Sequence, residues 1–294
     1  MIDGVVAFLL RWWWVVLCVA AASALTFGKM IDREILGESV RDFRAQLTGA
    51  DEWHLTLPLS RSLDYRWVEL AGSGELRVAH ALGAAGTAAA NTLPAAVAAL
   101  TAGFSLLEVD VWLDSEDALR CHHGPEAPVP DPGDACTLAR LLALLQSHPR
   151  IKLILDIKTD FDRTGAAVLR LLDRLGPLAT QQTIFQLYHP RHLNAFSHWA
   201  EGRALPGPIV TTYLSPWSLG HVELELPRLN VQAFTFPFYR RAALAKRPLV
   251  GPSRLVHPIH DCSSLAAARH LGVKGIYTVT ALRCDSDGVP SSER

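Results

Sequence analysis

Two acids stand two residues apart inside an apolar run, Glu108 and Asp110 of LLEVDVWLDSEDALRCHHG (106–124), and the segment closes on paired histidines. In an extended strand, residues two apart project to one side, so these carboxylates share a face while Val109 and Val111 share the other. The spacing recurs in LILDIK, where Asp156 and Lys158 stand two apart, and the short apolar stretch LRVAH ends in His80. His123 follows the second strand across a short loop. An unpaired buried carboxylate costs about several kcal/mol, so such groups need basic partners, water or a bound cation. Glu108, Asp110 and Asp156 are hard oxygen ligands suited to Mg²⁺ or Ca²⁺, whereas a zinc site more often shows His or Cys at close helical spacing. A salt-bridge network with Lys or Arg is the other reading of the same acids.

These groups lie on separate segments, so they act together only if a fold gathers them. Short apolar runs alternate with longer Ala/Leu-rich stretches through most of the chain. The expected strands are 76–80, 106–112, 151–158, 183–188, 208–213, 231–236, 253–259 and 275–279, with helices over 93–102, 138–147, 164–175 and 263–271. Strand and helix in alternation build a parallel sheet covered by helices, and eight strands in roughly 220 residues fit an α/β (β/α)8 TIM barrel better than an open doubly wound sheet. The connections after the fifth to seventh strands are Pro-rich and aromatic where helices should stand. Barrel active sites form at the carboxyl ends of the strands, which puts His80, Glu108, Asp110, His123, Asp156 and Lys158 on one rim. His257, at the predicted end of the seventh strand, is a candidate substrate contact, and Tyr188 and Tyr213 are candidate pocket walls or packing. The other histidines, His260 among them, are expected on the surface or rim.

The remainder of the 294 residues bounds the setting. VVAFLLRWWWVVLCVAAASALTF (5–27) is an apolar run with tryptophans beside Arg11 and a small-residue Ala22-Ser23-Ala24 site, as a transmembrane helix or a signal segment would carry. Residues 1–28 are therefore expected to reach a membrane, 29–70 to form a juxtamembrane linker, and 71–294 to form the barrel, with the body outside the cytoplasm. Cys121, Cys136, Cys262 and Cys284 show no CxxC or zinc spacing; they could pair in an oxidising compartment, but small buried thiols are the expected state. A formal net charge of -1 gives no electrostatic footprint for nucleic acid, which is not an expected partner. Oligomeric state is not legible.

In order along the chain, AHALG (79–83), ANTLPAAVAALTAGF (90–104), EVD (108–110) and CHHG (121–124) resemble the glycerophosphodiester phosphodiesterase family, within the phospholipase-C-like phosphodiesterase barrels. The resemblance spans roughly 76–280 and is strong from His80 to His123; LDIK and LGVKGIYTV extend it. The family pattern is HRG, then ENT, then ExD, then a His-Asp pair. Here Ala81 and Leu82 stand between His80 and Gly83, so the arginine is missing, Ala90 replaces the Glu before Asn91-Thr92, Gly124 replaces the Asp, and Val279 replaces an acid. The chain resembles a divergent branch.

The resemblance implies a divalent cation on Glu108, Asp110 and Asp156, a second positive contact from Lys158, and His80 and His123 as the acid-base pair flanking phosphorus, with attack by an adjacent substrate hydroxyl as the first step. His123 rather than His122 aligns with the family position, which leaves His122 facing away. The implied activity is divalent-metal-dependent hydrolysis of glycerophosphodiesters or lipid-derived phosphodiesters. The rivals are a sphingomyelinase D-like or phosphoinositide-type phospholipase and a catalytically silent barrel that binds a lipid headgroup or a protein.

Overall fold

The structure, a computed structural model, describes residues 56–70, 75–124, 135–211, 224–241, 251–280, 282 and 284. The chain divides into Met1–Gly49 and Ala50–Arg294, and all described residues belong to the second unit. The apolar run at 5–27 and most of the 29–70 segment therefore lie outside the described residues, as does Tyr213. Among the described residues no helix is long and apolar enough to cross a membrane.

Eight parallel strands form a closed ring. They are β1 (Leu76–Ala79), β2 (Leu106–Leu113), β4 (Lys152–Ile157), β5 (Thr183–Leu187), β6 (Ile209–Thr211), β7 (Ala233–Pro237), β8 (Ser253–Ile259) and β9 (Gly275–Thr278), with β9 returning to β1 and β1 to β2. Each corresponds to one apolar run of the sequence. A ninth strand, β3 (Leu119–Cys121), folds back antiparallel on β2 and has no counterpart in the sequence reading. It is three residues long and mixed in polarity, too short for any period to register.

Helices cover the ring because their first turns are capped by side chains that satisfy free backbone donors. Thr92 accepts from Ala95 at the head of α1 (Leu93–Thr101), Thr137 from Arg140 at α2 (Leu138–Leu145), and Asp160 from Arg163 at α3 (Phe161–Leu175). Gly176, at φ 92, ends α3 in a conformation an L side chain rarely adopts. Then follow α4 (Pro177–Gln182), α5 (Pro190–Ala200) and α6 (Cys262–His270), the last capped by Asp261. The fourth and fifth of these were not read from sequence. Prolines and histidines there mask the helical period, yet Pro177 and Pro190 both stand in the first turn, where proline is tolerated.

The interior of the ring is split by height. Leu76, Val78, Leu106, Ile154, Ile184, Ile209 and Leu255 form an apolar floor on which Tyr65, Trp67 and Val68 pack from below. Trp67 donates its Nε1–H to the Gly207 carbonyl at 3.0 Å, and the Tyr65 ring lies so close to Gly207 that a Cβ there would collide with it. Residues 59–70 thus close the amino-terminal mouth. Above that floor the inward positions turn polar.

Two disulfides, Cys121–Cys136 and Cys262–Cys284, replace the buried thiols expected from sequence. The partners lie 15 and 22 residues apart, a separation that says nothing by itself. What brings the first pair together is β3: the Cys121 amide donates to the Cys136 carbonyl at 3.0 Å, beside a bridge between Arg120 and Thr137.

Candidate active site

Parallel pairing of β2 with β4 sets Asp110 opposite Asp156. Glu108, Asp110 and Asp156 each offer an oxygen within 4.8 Å of the others, and all three are buried. Their second contacts are specific. Glu108 Oε2 accepts the Ala81 amide at 2.7 Å; Asp110 Oδ2 accepts from Asn91 Nδ2 at 2.7 Å, while the Asp110 amide donates to Asn91 Oδ1 at 3.0 Å. Asp156 Oδ2 accepts from Tyr188 Oη at 2.6 Å and Gln186 Nε2 at 3.1 Å, and Tyr277 Oη donates to Gln186 Oε1 at 3.0 Å. Lys158, just past β4, sets its Nζ 3.0 Å from Asp110 Oδ1 and 2.7 Å from Asp156 Oδ2.

Fully ionised, the three carboxylates would exceed the one ammonium bound to them among the described residues by two negative charges. Burial, then Asp110 and Asp156, push the Glu108 carboxyl well above the usual range, and burial raises Asp156 despite Lys158. Burial works against the Lys158 ammonium, yet Asp156 and Asp110 hold its pKa above the ordinary lysine value. Asp156 Oδ1 is buried and has no hydrogen-bond partner. A hard-oxygen set with surplus negative charge and an unused buried oxygen fits a divalent cation of the Mg²⁺ or Ca²⁺ kind.

A cavity of about 490 Å³ is lined by His80, Asn91, Asp110, His122, His123 and His260 and by the alanine-rich loop after β1; of the three acids Asp110 is the one that lines it. His80 leaves β1 into a tight turn in which Ala81 (φ 48) and Leu82 (φ 61) are both left-handed. That conformation costs an L residue about 1–2 kcal/mol, and within this turn the Ala81 amide reaches Glu108. Burial lowers His80 to about 4, with His260, Lys158 and His123 acting in the same direction and Asp110 against. His123 is exposed at the cavity. His122, expected to face away, lines it as well; its Nδ1 accepts from the Gly124 amide at 3.3 Å and its Nε2 is buried without a partner.

No protein-family model matches the chain, and no curated protein matches it either. Solved structures do. A glycerophosphodiester phosphodiesterase from Parabacteroides distasonis aligns over 70% of this chain and 94% of its own, at 16% identity and TM-score 0.54. An Oleispira antarctica phosphodiesterase in complex with the product sn-glycerol-3-phosphate aligns over 69% and 92%, at 17% identity and TM-score 0.54. A Silicibacter pomeroyi protein bearing the glycerophosphoryl diester phosphodiesterase name aligns over 71% and 92%, at 16% identity and TM-score 0.57. The fold is that of the glycerophosphodiester phosphodiesterases.

Within a glycerophosphodiester phosphodiesterase fold the departures take definite places. Ala81 and Ala90 both line the cavity, so neither the missing arginine nor the missing glutamate has a side-chain substitute at its own position. Gly124, at φ 153, backs onto the Trp112 ring.

The structure brings His80, Glu108, Asp110, His123, Asp156 and Lys158 to one end of the barrel. His257 is not at the cavity. It is buried deeper in the ring, its Nδ1 2.7 Å from Thr235 Oγ1 and its ring edge-on to Tyr277 at 5.8 Å, and burial lowers it to about 3. The β8–β9 register shifts between Val256 and Ile259, and the histidine delivered to the rim is His260 instead. Tyr188, read as a pocket wall or as packing, serves the acid cluster. Sequence reasoning assigned no role to Gln186 or Tyr277; the period-2 alternation from Ile184 to Gln186 to Tyr188 was the signal that would have placed Gln186 inward.

Proposed function

We propose that this chain hydrolyses phosphodiesters, of glycerophosphodiester or lipid-derived type, with a divalent cation on Glu108, Asp110 and Asp156 and with His80 and His123 as the acid-base pair. The observation that carries the reading is the convergence of three buried carboxylates with one lysine, of which Asp110 lines a cavity shared with both histidines. A bound divalent cation supplies charge neutralisation at a nonbridging phosphate oxygen and acidifies a nearby hydroxyl. Lys158 balances part of the acids' charge and gives the anion a second positive neighbour. One imidazole takes the proton of the attacking hydroxyl or water, and the other donates a proton to the departing alcohol. Asn91 fixes Asp110 at both its carboxylate and its backbone amide. The product held by the Oleispira antarctica neighbour makes glycerol-containing diesters the first substrates to try.

The setting proposed is a membrane-attached protein with its barrel outside the cytoplasm. The apolar run at 5–27 supports attachment, and two disulfides support an oxidising compartment. A second reading, a silent barrel that binds a lipid headgroup, is favoured by Ala81 and Ala90, which leave the cavity without two polar side chains.

Turnover decides between them. Glycerophosphodiesters, lysophospholipids, sphingomyelin and an aryl phosphodiester are supplied with Mg²⁺ or Ca²⁺ and the products weighed by mass spectrometry. Metal-dependent cleavage, abolished by chelator and reduced about 100-fold or more by His80→Ala or His123→Ala, is expected. Full activity in either variant sinks the histidine pair. No turnover of any diester leaves the headgroup-binding barrel, and the identity of the released group separates glycerophosphodiester chemistry from a sphingomyelinase D-like or phosphoinositide-type reaction.

A further inference from the structure

His260, one of the histidines expected on the surface or rim, lines the cavity. Its Nε2 lies 3.4 Å from His80 Nδ1, and the two rings stack at 5.6 Å between centroids with 29° between planes. The His80 and Tyr277 rings meet edge to face, with 6.2 Å between centroids and 81° between planes. Two neutral imidazole nitrogens in contact can form a hydrogen bond in only one sense, with one donating and the other accepting. The contact therefore selects a tautomer of His80 and occupies its Nδ1, leaving Nε2 for other partners.

The placement of His260 is built rather than incidental. The residue follows β8 where the register with β9 shifts, and the next residue, Asp261, caps α6 by accepting the Ser264 amide at 2.8 Å. Cys262 follows and is joined to Cys284. An exposed side chain is thus carried on backbone fixed on both sides. Acid-base imidazoles are ordinarily oriented through their second ring nitrogen by a carboxylate, a carbonyl or water; no such group is hydrogen-bonded to His80 Nδ1 among the described residues, and His260 occupies the place.

We propose that His260 is the positioning residue of His80, setting its tautomer and ring orientation for proton transfer. The proposal rests on the functional reading above for its consequence in catalysis, but its physical content is independent of turnover. The test uses the full chain labelled with ¹⁵N-histidine, the His80 signals being assigned by their loss in His80→Gln. One ring nitrogen protonated and the other bare is expected for His80 in the wild type; His260→Ala should move both shifts toward a tautomer average, and His260→Gln, whose amide can donate or accept, should restore them. Unchanged His80 shifts in His260→Ala overturn the proposal whether or not the chain is an enzyme. Where the wild type turns over a diester, His260→Ala should lower kcat about 10-fold or more with KM nearly unchanged, and His260→Gln should recover much of it. Equal kcat in wild type and His260→Ala also overturns it, whereas absent wild-type activity with the expected shifts sinks the functional reading alone.

Discussion

Lys158 is the residue on which the charge of the cluster turns. Its ammonium bridges Asp110 and Asp156, and breaking a buried pair by removing one partner typically costs about 3–5 kcal/mol. Lys158→Met keeps the side chain's length and removes its charge, so in chelator the variant is expected to lose about 3 kcal/mol of stability. Three acids with no internal cation then bind a divalent ion more tightly. At a hundredfold excess over Kd, an ion returns about 2.7 kcal/mol. Thermal melts in chelator and in Ca²⁺ or Mg²⁺ check this: a larger cation-dependent rise in Lys158→Met than in wild type is expected, and Glu108→Gln should shrink that rise in both backgrounds. An equal rise in all variants would place the ion elsewhere. The acids themselves were legible because two charges spaced two residues apart in an apolar run must share one face of a strand and be compensated there. Lys158 could be read as a basic neighbour, but its choice of Asp110 on the next strand over depends on register, which the sequence does not print.

At the scale of elements, the turn after β1 and the α3–α5 contact each store something testable. Ala81 sits at φ 48, where glycine carries no steric penalty, so Ala81→Gly is expected to stabilise by about 0.5–1 kcal/mol in denaturant titrations while keeping the amide that binds Glu108. Between α3 and α5, His192 stacks flat on Phe161 with 3.8 Å between centroids, its Nδ1 accepting from the Tyr188 amide and its Nε2 buried without a partner. Burial lowers this histidine to about 3 from the usual 6.5. The unfolded chain thus takes up the proton first, and the stability present above about pH 6.5 is lost as pH falls toward 3, by up to about 1.4 kcal/mol per unit. His257 contributes with the same sign. His192→Phe should flatten this acid limb by close to one proton, measured as the difference in unfolding free energy between pH 7 and pH 5; loss of the Tyr188 hydrogen bond offsets both values equally. The eight strands were legible because each is largely buried and reads as a short, predominantly apolar run. β3, α4 and α5 were not, and the shift in β8 that exchanges His257 for His260 at the rim is a packing event with no local signature.

For the molecule as a whole, both disulfides lie beside the loops that carry cavity histidines. Cys121 immediately precedes His122 and His123, and Cys262 follows His260 by two residues. The rim of the barrel is therefore tied to α2 on one side and to the carboxyl-terminal segment on the other, while the floor is held by Trp67 and its neighbours. Loop closure over 15 residues corresponds to about 3 kcal/mol of stabilisation in the chain-entropy account. A chain made in an oxidising compartment should carry both bridges, so alkylation after unfolding without reductant should label Cys18 and leave the other four cysteines unmodified, with labelling of all five once a dithiol is added. Unfolding free energy should fall by several kcal/mol under the same dithiol, and phosphodiester turnover should fall with it as the histidine loops lose their tethers. Labelling of all five cysteines without reductant, in protein recovered from its native compartment, would remove the argument for a barrel outside the cytoplasm and leave the apolar run at 5–27 to support membrane attachment alone.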